Sequence, residues 1–420
     1  MQRSNETGGQ NRAVLLAAEL GDRSWSAADS LDELARLAET AGIEVVDAVS
    51  QNLDDPQPRS YLGKGKIREL NERKSELRFN TVIADDELSL SQQRYLEEAL
   101  DVQVLDRTGV ILHIFAMHAR TREGRLQVEM AQYRYRLPRL TGRGAELSRL
   151  GAGINTRGPG ETKLESDRRR IRHRIAELQR EVEQVRTQRA LHRQQRRSSG
   201  LPVVALAGYT NAGKSTLMNA LTGADVLSSD RLFATLDPTT RRVVLPNHLH
   251  VLLTDTVGFI QKLPADLVAA FRATLEEITE ADLILHVVDC SHAQVGKQAE
   301  AVEDELESLG VERVPRITVL NKVDLASPER IVRLQSAFPD GVLVSAVTGQ
   351  GLDNLREVLE REIVRTYRAI TVCIPYSDAE YVNLFRERGM VESEDHGDAG
   401  TVIQGKLPAG LIRNFQPFVT

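Results

Sequence analysis

The sequence predicts an α/β protein with more than one sheet, and three observations support this prediction. A glycine-rich loop at residues 208–215 stands between an apolar run and the start of a helix. Polar motifs end further apolar runs downstream, as expected where buried parallel strands finish. Strand and helix patterns also alternate through residues 13–118, which indicates a second, smaller parallel sheet. A chain of 420 residues is long enough for several domains.

We predict four parts along the chain. The first is a small parallel α/β domain, and an arginine-rich α-helical hairpin follows it. The third is a P-loop domain with a mostly parallel sheet and helices on both sides, and the last is a small α+β domain. The predicted bounds are residues 1–118, 119–199, 200–365 and 366–420.

Alternating strand and helix periodicities predict the first part, residues 1–118. Strand-like apolar runs cover residues 13–18, 43–46, 81–84 and 102–106, and helical spacing covers 30–41, 66–77 and 89–100. Because parallel strands need long crossover connections, such alternation favours a parallel sheet. In the last part, residues 370–374 and 401–403 are strand-like around a helix at 378–388, and no function is predicted for this domain.

The hairpin is predicted from two long arginine-rich helices, at residues 120–137 and 165–197. Apolar residues recur at steps of three and four along the second helix, which predicts a seam for pairing with the first. The seam consists of Leu164, Ile171, Ile175, Leu178, Val182 and Val185.

The hairpin also concentrates positive charge. Residues 120–200 hold 21 Arg and Lys against 9 Asp and Glu, a balance of +12, which leaves −18 elsewhere because the whole chain carries −6. The glycine-rich tip adds four basic candidates for RNA contact, namely Arg143, Arg149, Arg157 and Lys163. Glycine allows close approach, and arginine pairs with phosphate or stacks on bases, so structured RNA suits this loop. A solvated charged hairpin is the alternative, and no recognition-helix motif favours DNA.

Residues 208–215 form a phosphate-binding loop in the strand–loop–helix context that this motif requires. The predicted nucleotide contacts are Gly208, Tyr209, Thr210, Asn211, Ala212, Gly213, Lys214, Ser215 and Thr216. Lys214 is expected to reach the β- and γ-phosphates, and the Ser215 hydroxyl to bind Mg²⁺.

Three later motifs indicate guanine as the base. Asp255, Thr256, Val257 and Gly258 form an Asp-x-x-Gly motif, in which Asp255 holds Mg²⁺ through water and Gly258 meets the γ-phosphate. Asn321, Lys322 and Asp324 form an Asn-Lys-x-Asp motif. The Asp324 carboxylate suits the two N–H donors of guanine, and Asn321 is expected to contact the base and brace the phosphate loop. Ser345, Ala346 and Val347 are expected to offer a backbone N–H to the guanine O6.

A switch segment is predicted between these motifs. Its expected nucleotide contacts are Phe233, Ala234, Thr235, Leu236 and Asp237. A threonine here completes the Mg²⁺ shell and senses the γ-phosphate. We favour Thr235, with Thr239 and Thr240 as alternatives, so that the predicted magnesium set is Ser215, Thr235 and Asp255.

Hydrolysis is predicted to be slow without a partner. Phe259 stands where many GTPases place a glutamine that orients the attacking water, and a phenyl ring cannot do this. Lys214 and Gly258 remain as catalytic candidates. The Asn211 amide could join phosphate oxygens around K⁺, and the alternative is that Asn211 only tolerates a turn conformation.

Composition and the apolar pattern argue against disulfide-rich, membrane-spanning and secreted proteins. The chain has only two cysteines, so no disulfide framework is expected, and no apolar run approaches the ~20 residues that span a bilayer. The first ten residues lack an apolar signal core. We therefore expect a cytoplasmic protein, with peripheral membrane association left open, and a monomer.

The assembled motifs resemble the HflX family of ribosome-associated GTPases. The segments that carry the resemblance are residues 151–163, 208–215, 233–241, 255–263 and 273–277. The resemblance implies binding of GTP and GDP, and binding to the 50S ribosomal subunit and its 23S rRNA with the hairpin tip near the peptidyl transferase region. It also implies splitting or rescue of stalled 70S ribosomes, ribosome-stimulated hydrolysis and Thr235 as the switch threonine. A GTP-gated RNA-remodelling or RNA-modification factor, and a regulatory GTPase acting on a protein, are the alternatives.

Overall fold

The computed structural model describes residues 11–21, 25–140, 159–198, 200–223, 232–246, 249–262, 264, 275, 277–408 and 410–420. Within 159–198 it describes side chains for residues 165–189. The chain divides into two compact units: residues 1–182 with 262–270, and residues 183–261 with 271–420.

The first unit contains a four-stranded parallel sheet in the order β2-β1-β3-β4. Its strands are β1 (Arg12–Glu19), β2 (Glu44–Asn52), β3 (Thr81–Ala84) and β4 (Gln103–Asp106). The helices are α1 (Ala27–Thr40), α2 (Lys64–Glu72), α3 (Lys74–Leu77), α4 (Leu90–Leu100) and α5 (Arg107–His118). Both faces of the sheet are covered, since β1 and β3 are buried almost throughout, and this agrees with their continuous apolar runs.

Side-chain caps start several of these helices where the sequence places Ser or Asp. Ser26 accepts from the amide of Asp29 at the start of α1, and Ser89 forms a capping box with Gln92 at the start of α4. The single helix predicted over residues 66–77 is two helices, because Arg73 ends α2 and Arg78 adopts a left-handed conformation with φ 51° after α3.

The hairpin helices are α6 (Arg122–Arg139) and α7 (Pro159–Ser198). Arg174 pairs with Glu129 at 3.0 Å and Arg122 with Glu181 at 3.5 Å, so the two helices run antiparallel. The predicted apolar seam is only partly buried: Leu178 is buried, whereas Ile171, Ile175, Val182 and Val185 are half-buried. The side chain of Leu164, the sixth predicted residue, lies outside the described residues. Ion pairs therefore share the helix contact with apolar packing.

The second unit contains a six-stranded sheet in the order β10-β9-β8-β5-β7-β6. The strands are β5 (Val203–Gly208), β6 (Thr239–Val244), β7 (His250–Asp255), β8 (Leu283–Asp289), β9 (Arg316–Asn321) and β10 (Val342–Leu343). The helices are α8 (Lys214–Thr222), α9 (Val295–Ser308), α10 (Pro328–Ala337) and α11 (Leu352–Thr366). Only the β6–β7 pair is antiparallel among the pairs of this sheet in the described residues, so the carboxyl ends of β5, β7, β8 and β9 share one edge.

A three-stranded antiparallel sheet closes the second unit, in the order β11-β13-β12. Its elements are β11 (Arg368–Ile374), α12 (Ala379–Arg388), β12 (Met390–Gly397), β13 (Gly400–Leu407) and α13 (Ile412–Phe415). Strand β12 was not expected, because its side chains are mostly polar and exposed. Aromatic rings fill the small core, among them Phe385 and Phe415, which meet edge to face with their centroids 5.5 Å apart.

The predicted fold class is confirmed: parallel α/β sheets, a basic helical hairpin and a small α+β end are all present. The four predicted domain boundaries stay predictions. In the part of the chain that the structure describes, no helix is long and apolar enough to cross a membrane.

Candidate nucleotide-binding site

The phosphate loop joins the end of β5 to the start of α8. Two residues in it have left-handed backbone conformations, Asn211 with φ 60° and Gly213 with φ 90°. A Cβ atom on Gly213 would lie 2.3 Å from the Asn321 side-chain nitrogen, so glycine is required there for close approach as well as for φ. Asparagine tolerates this backbone region better than most residues, which suits the turn interpretation of Asn211.

A cavity of about 360 Å³ opens beside this loop. Its lining comprises Thr210, Asn211, Gly213, Lys214, Ser215, Thr216, Phe233, Ala234, Thr235, Thr256, Gly258, Asn321, Lys322, Asp324, Leu325, Ala346 and Val347. The other predicted contacts lie beside the cavity rather than in its lining, namely Gly208, Tyr209, Ala212, Leu236, Asp237, Asp255, Val257 and Ser345. The structure thus brings together motifs that are far apart in sequence.

Three oxygen-bearing side chains converge at one end of the cavity. The Ser215 and Thr235 hydroxyls are 2.8 Å apart, and Asp255 Oδ2 accepts from both, at 2.7 and 3.0 Å. The two alternative threonines lie elsewhere. Thr239 starts β6, and the Thr240 hydroxyl lies 3.0 Å from that of Thr254. Among the three candidate threonines, Thr235 is the one that this arrangement favours.

The same cluster suits a hard cation. Two hydroxyls and a carboxylate are the oxygen donors that Mg²⁺ prefers. Burial raises the pKa of Asp255, although the Ser215 hydrogen bond and the nearby Lys214 act in the opposite direction. In the described residues, Asp255 Oδ1 is buried without a hydrogen-bond partner, so this carboxylate still has capacity for a ligand. The residues therefore fit the predicted metal.

Lys214 is buried under the loop, with 6% of its surface exposed. Its ammonium group donates to the carbonyls of Gly208 and Tyr209, at 3.0 and 2.8 Å. Burial lowers the pKa of Lys214 to about 8; nearby Lys322 acts in the same direction, while Asp255 opposes them. The site thus holds a cation that gains stability from negative charge placed against it.

Asn321 connects two of the predicted motifs beside the cavity. Its side-chain nitrogen donates to the Ala212 carbonyl at 2.9 Å, and its oxygen accepts from the Ala346 amide at 3.1 Å. The Ser345 amide donates to the Gln350 carbonyl at 2.9 Å. Both of these amides therefore bind protein acceptors in this structure, and the predicted contact to the guanine O6 stays a prediction.

One residue of the cavity lining next to Asp324, Leu325, was not predicted. Leu325 lines the cavity and is 67% exposed. Its position directly after Asp324 in the motif was the available signal. Lys322 pairs with Asp289 at 2.7 Å, and this ion pair links the ends of β9 and β8.

Phe259 is tied to the phosphate loop through its backbone. Its amide donates to the Gly208 carbonyl at 3.1 Å, and its carbonyl accepts from the Thr210 amide at 2.7 Å. The Gln261 amide then donates to the Tyr209 hydroxyl at 2.9 Å. A Cβ atom on Gly258 would lie 2.8 Å from the Thr210 Cα, so this segment passes close over the loop. Sequence reasoning missed the Tyr209 hydroxyl, because phosphate loops are recognised by their glycines.

The candidate RNA contacts cannot be placed. Arg143, Arg149 and Arg157 lie outside the described residues, and so does the side chain of Lys163 in α7. Within the described ranges, no group of His, Cys, Asp and Glu residues has the arrangement of a metal cluster.

Three family models match successive stretches of the chain. Residues 28–116 match a family model described as GTP-binding GTPase N-terminal, 118–196 match GTP-binding GTPase Middle Region, and 203–322 match 50S ribosome-binding GTPase. A solved GTP-binding protein from Sulfolobus solfataricus in complex with GDP covers 84% of this chain and 98% of its own, at 22% identity and a TM-score of 0.44.

Proteins of similar sequence identify the family of this chain. GTPase HflX of Lacrimispora saccharolytica is 49% identical over 404 residues, which cover 96% of this chain and 95% of the relative. GTPase HflX of Caldanaerobacter subterraneus subsp. tengcongensis is 47% identical over 390 residues, which cover 92% and 90%. Identity of this extent over nearly the full length, on a chain with a phosphate loop and a guanine motif around one cavity, shows that the protein belongs to the HflX family of GTPases, which are GTP hydrolases.

Proposed function

We propose that this chain binds the 50S ribosomal subunit through its 23S rRNA and splits or rescues stalled 70S ribosomes, with GTP hydrolysis controlling release. The observation that carries the proposal is the convergence of Ser215 and Thr235 on Asp255. A hydroxyl of the switch segment placed there makes the segment's position depend on the nucleotide. The description of the family model over residues 203–322 supports a ribosomal partner.

In this proposal Ser215 and Thr235 would hold Mg²⁺ directly and Asp255 would hold it through water, and the bound ion would supply positive charge to the phosphate oxygens. Lys214 binds the β- and γ-phosphates, and the Gly258 amide meets the γ-phosphate. Asp324 and Asn321 select guanine, while the side chain of Leu325 lies against the base.

Slow intrinsic hydrolysis follows from Phe259. Because its buried ring has no hydrogen-bonding group, the attacking water must be oriented by main-chain groups or by the ribosome. K⁺ held by Asn211 is one candidate for added positive charge. The left-handed backbone of Asn211 supports the alternative, that asparagine is present for the turn.

The hairpin provides the proposed rRNA surface. Its excess of 12 positive charges is unusual in a chain of net charge −6, and polyanion binding draws most of its strength from such charge. The GTP state would dock this surface on rRNA, in a position that disfavours the joined subunits. We propose that the protein acts as a monomer and works with ribosomes in the cytoplasm.

Sedimentation of purified 70S ribosomes tests this function. The ribosomes are run on sucrose gradients with the protein and GTP, GDP or a non-hydrolysable GTP analogue. We expect the analogue to give free subunits with the protein on the 50S peak, and GDP to leave 70S particles intact. Absence of both binding and splitting with the analogue would overturn the proposal.

Two controls separate the alternatives. Lys214→Ala should abolish the difference between analogue and GDP. Trimming residues 151–160 should weaken splitting and spare GTP binding. Salt-insensitive binding to a protein, with no loss on Arg143 or Arg157 substitution, would instead favour a regulatory GTPase with a protein target.

A further inference from the structure

The side chain of Tyr209 reaches from the phosphate loop to the segment that follows Gly258. Tyr209 directly follows β5 and is 4% exposed, and its hydroxyl accepts from the Gln261 amide at 2.9 Å. Both residues belong to the second unit, so the contact lies within one compact part of the chain. The expected phosphate contacts of the loop come from its backbone and from Lys214, so this hydroxyl is not needed to bind phosphate.

Main-chain hydrogen bonds attach the same segment two residues earlier. The Phe259 amide donates to the Gly208 carbonyl at 3.1 Å, and the Phe259 carbonyl accepts from the Thr210 amide at 2.7 Å, on either side of Tyr209. A segment can pivot about one attachment, whereas a second attachment further along fixes its direction. The Tyr209 hydroxyl provides a second attachment, because Gln261 stands two residues after Phe259.

Gly258 is the residue for which the direction of this segment matters. A Cβ atom on Gly258 would lie 2.9 Å from Lys214 Nζ and 2.8 Å from the Thr210 Cα. Lys214 Nζ in turn donates to the Tyr209 carbonyl at 2.8 Å. The main chain of Tyr209 therefore holds the ammonium group that is expected to bind the γ-phosphate, while its side chain holds the segment that carries Gly258.

The contact is buried, which increases its energetic weight. Gln261 is 7% exposed, and a buried amide that loses its acceptor costs free energy that water does not repay. Phenylalanine in place of Tyr209 would remove this acceptor and keep the ring that fills the space. Buried tyrosine hydroxyls usually find a partner in any case, so the alternative is a contact that only stabilises the fold.

We propose that Tyr209 is a positioning residue for GTP hydrolysis, whose hydroxyl holds the backbone of residues 258–261 in the orientation that the transition state requires. The proposal rests on the proposed placement of the γ-phosphate against Lys214 and the Gly258 amide. Because the Phe259 side chain cannot orient the attacking water, hydrolysis without ribosomes depends on main-chain groups of this segment, and small errors in their position lower the rate. GTP binding depends on the phosphate loop and the base contacts, and does not need the hydroxyl.

Single-turnover GTP hydrolysis without ribosomes tests the proposal. At saturating GTP, Tyr209→Phe should lower the rate about fivefold, the factor that corresponds to one ordinary hydrogen bond, and should change GTP and GDP affinity by less than about twofold. The matched control is Tyr376→Phe, because the Tyr376 hydroxyl donates to the Gly397 carbonyl at 2.9 Å in the same unit. That variant should hydrolyse GTP at the parent rate.

Hydrogen–deuterium exchange separates positioning from a general loss of stability. In GDP-bound Tyr209→Phe, the amides of residues 258–261 should exchange faster, while protection of β5, β8 and β9 stays at the parent level. A variant that is merely less stable would instead exchange faster throughout the six-stranded sheet.

Three results would each overturn the proposal. They are an unchanged rate in Tyr209→Phe, equal losses of rate and GTP affinity, and a lower rate without faster exchange confined to residues 258–261. Because the assay contains no ribosomes, its outcome is independent of whether the protein splits them.

Discussion

The Thr235 hydroxyl lies 2.8 Å from the Ser215 hydroxyl, and both donate to one oxygen of Asp255. Ser215 belongs to the first turn of a helix, whereas Thr235 belongs to a loop between elements. Any ligand that takes over the Asp255 oxygen therefore changes what holds the loop. We therefore predict that the position of residue 235 depends on the bound nucleotide.

Thr235→Ala should lower the affinity for GTP more than the affinity for GDP. The variant loses a hydroxyl needed in the GTP state, so we expect its affinity for GTP to fall about tenfold and its affinity for GDP to change little. Fluorescent analogues of both nucleotides measure this in Mg²⁺ buffer. Thr235→Ser should behave like the parent, and Thr240→Ala is the matched control. Equal losses for GTP and GDP would contradict the assignment.

Asp324→Asn should change base selection. The variant loses the acceptor for two guanine N–H donors and leaves polar groups of the base unpaired, so GTP affinity should fall about 100-fold. Xanthosine triphosphate presents a carbonyl where guanine has its amino group, and its affinity should rise. Competition binding measures both changes. If the variant still prefers GTP to xanthosine triphosphate, a group other than Asp324 determines base specificity.

Phosphate binding should take up protons near pH 8. Lys214 has a pKa of about 8 in the free protein, and phosphates favour its charged form, so affinity for GTP should fall as pH rises above that value. Calorimetry at this pH, in two buffers of different ionisation enthalpy, should show uptake of about half a proton per GTP. Lys214→Arg does not titrate in this range and should show none. Equal uptake in the arginine variant would assign the proton to another group.

Asn211→Gly distinguishes the two interpretations of Asn211. Glycine adopts φ 60° at no steric cost but has no amide oxygen. If Asn211 holds K⁺, hydrolysis by the parent should be faster in K⁺ than in Na⁺, and Asn211→Gly should lose the difference. Steady-state phosphate release in the two salts measures it. If the parent hydrolyses GTP equally fast in the two salts, Asn211 does not hold K⁺ and serves only the turn conformation.

Arg107 and Asp85 form a buried ion pair at 2.6 Å in the first unit. Arg107→Met should destabilise this unit by about 3–5 kcal/mol at neutral pH, because Asp85 keeps its burial and loses a partner. Trp25, the only tryptophan, lies in this unit and reports its urea unfolding. Arg73→Met, which removes a half-exposed pair with Asp47 at 2.8 Å, should cost less than about 1 kcal/mol. Equal losses in the two variants would show that the buried pair has no special weight.

The pH dependence of that loss has a definite sign. The folded pKa of Asp85 is lowered, so its ion pairs stabilise the protein above the unfolded pKa of about 3.9 and stop doing so as pH falls through the folded value. In Arg107→Met burial is opposed less, and Asp85 takes up its proton at a higher pH. The deficit should therefore shrink as pH approaches 4.

Sequence patterns predicted the parts of the site that depend on local spacing. The glycines around Asn211 and the motif ending at Asp324 have fixed spacing because each sits at the end of one strand. Thr235 was favoured from the sequence with Thr239 and Thr240 as alternatives, and the contacts of its hydroxyl with Ser215 and Asp255 came from the structure. The contact of Lys262 with Asp85 spans 177 residues and leaves no periodic signal, so it was not predictable from the sequence.

Asn321 joins the carbonyl of Ala212 to the amide of Ala346 through a single side chain. We therefore predict that a substitution at residue 321 affects phosphate binding and base recognition together. A descendant that adopts another base would have to keep the asparagine and vary its neighbours, most simply Asp324 and Leu325. Altered specificity in this fold should therefore arise at those two positions while residue 321 stays constant.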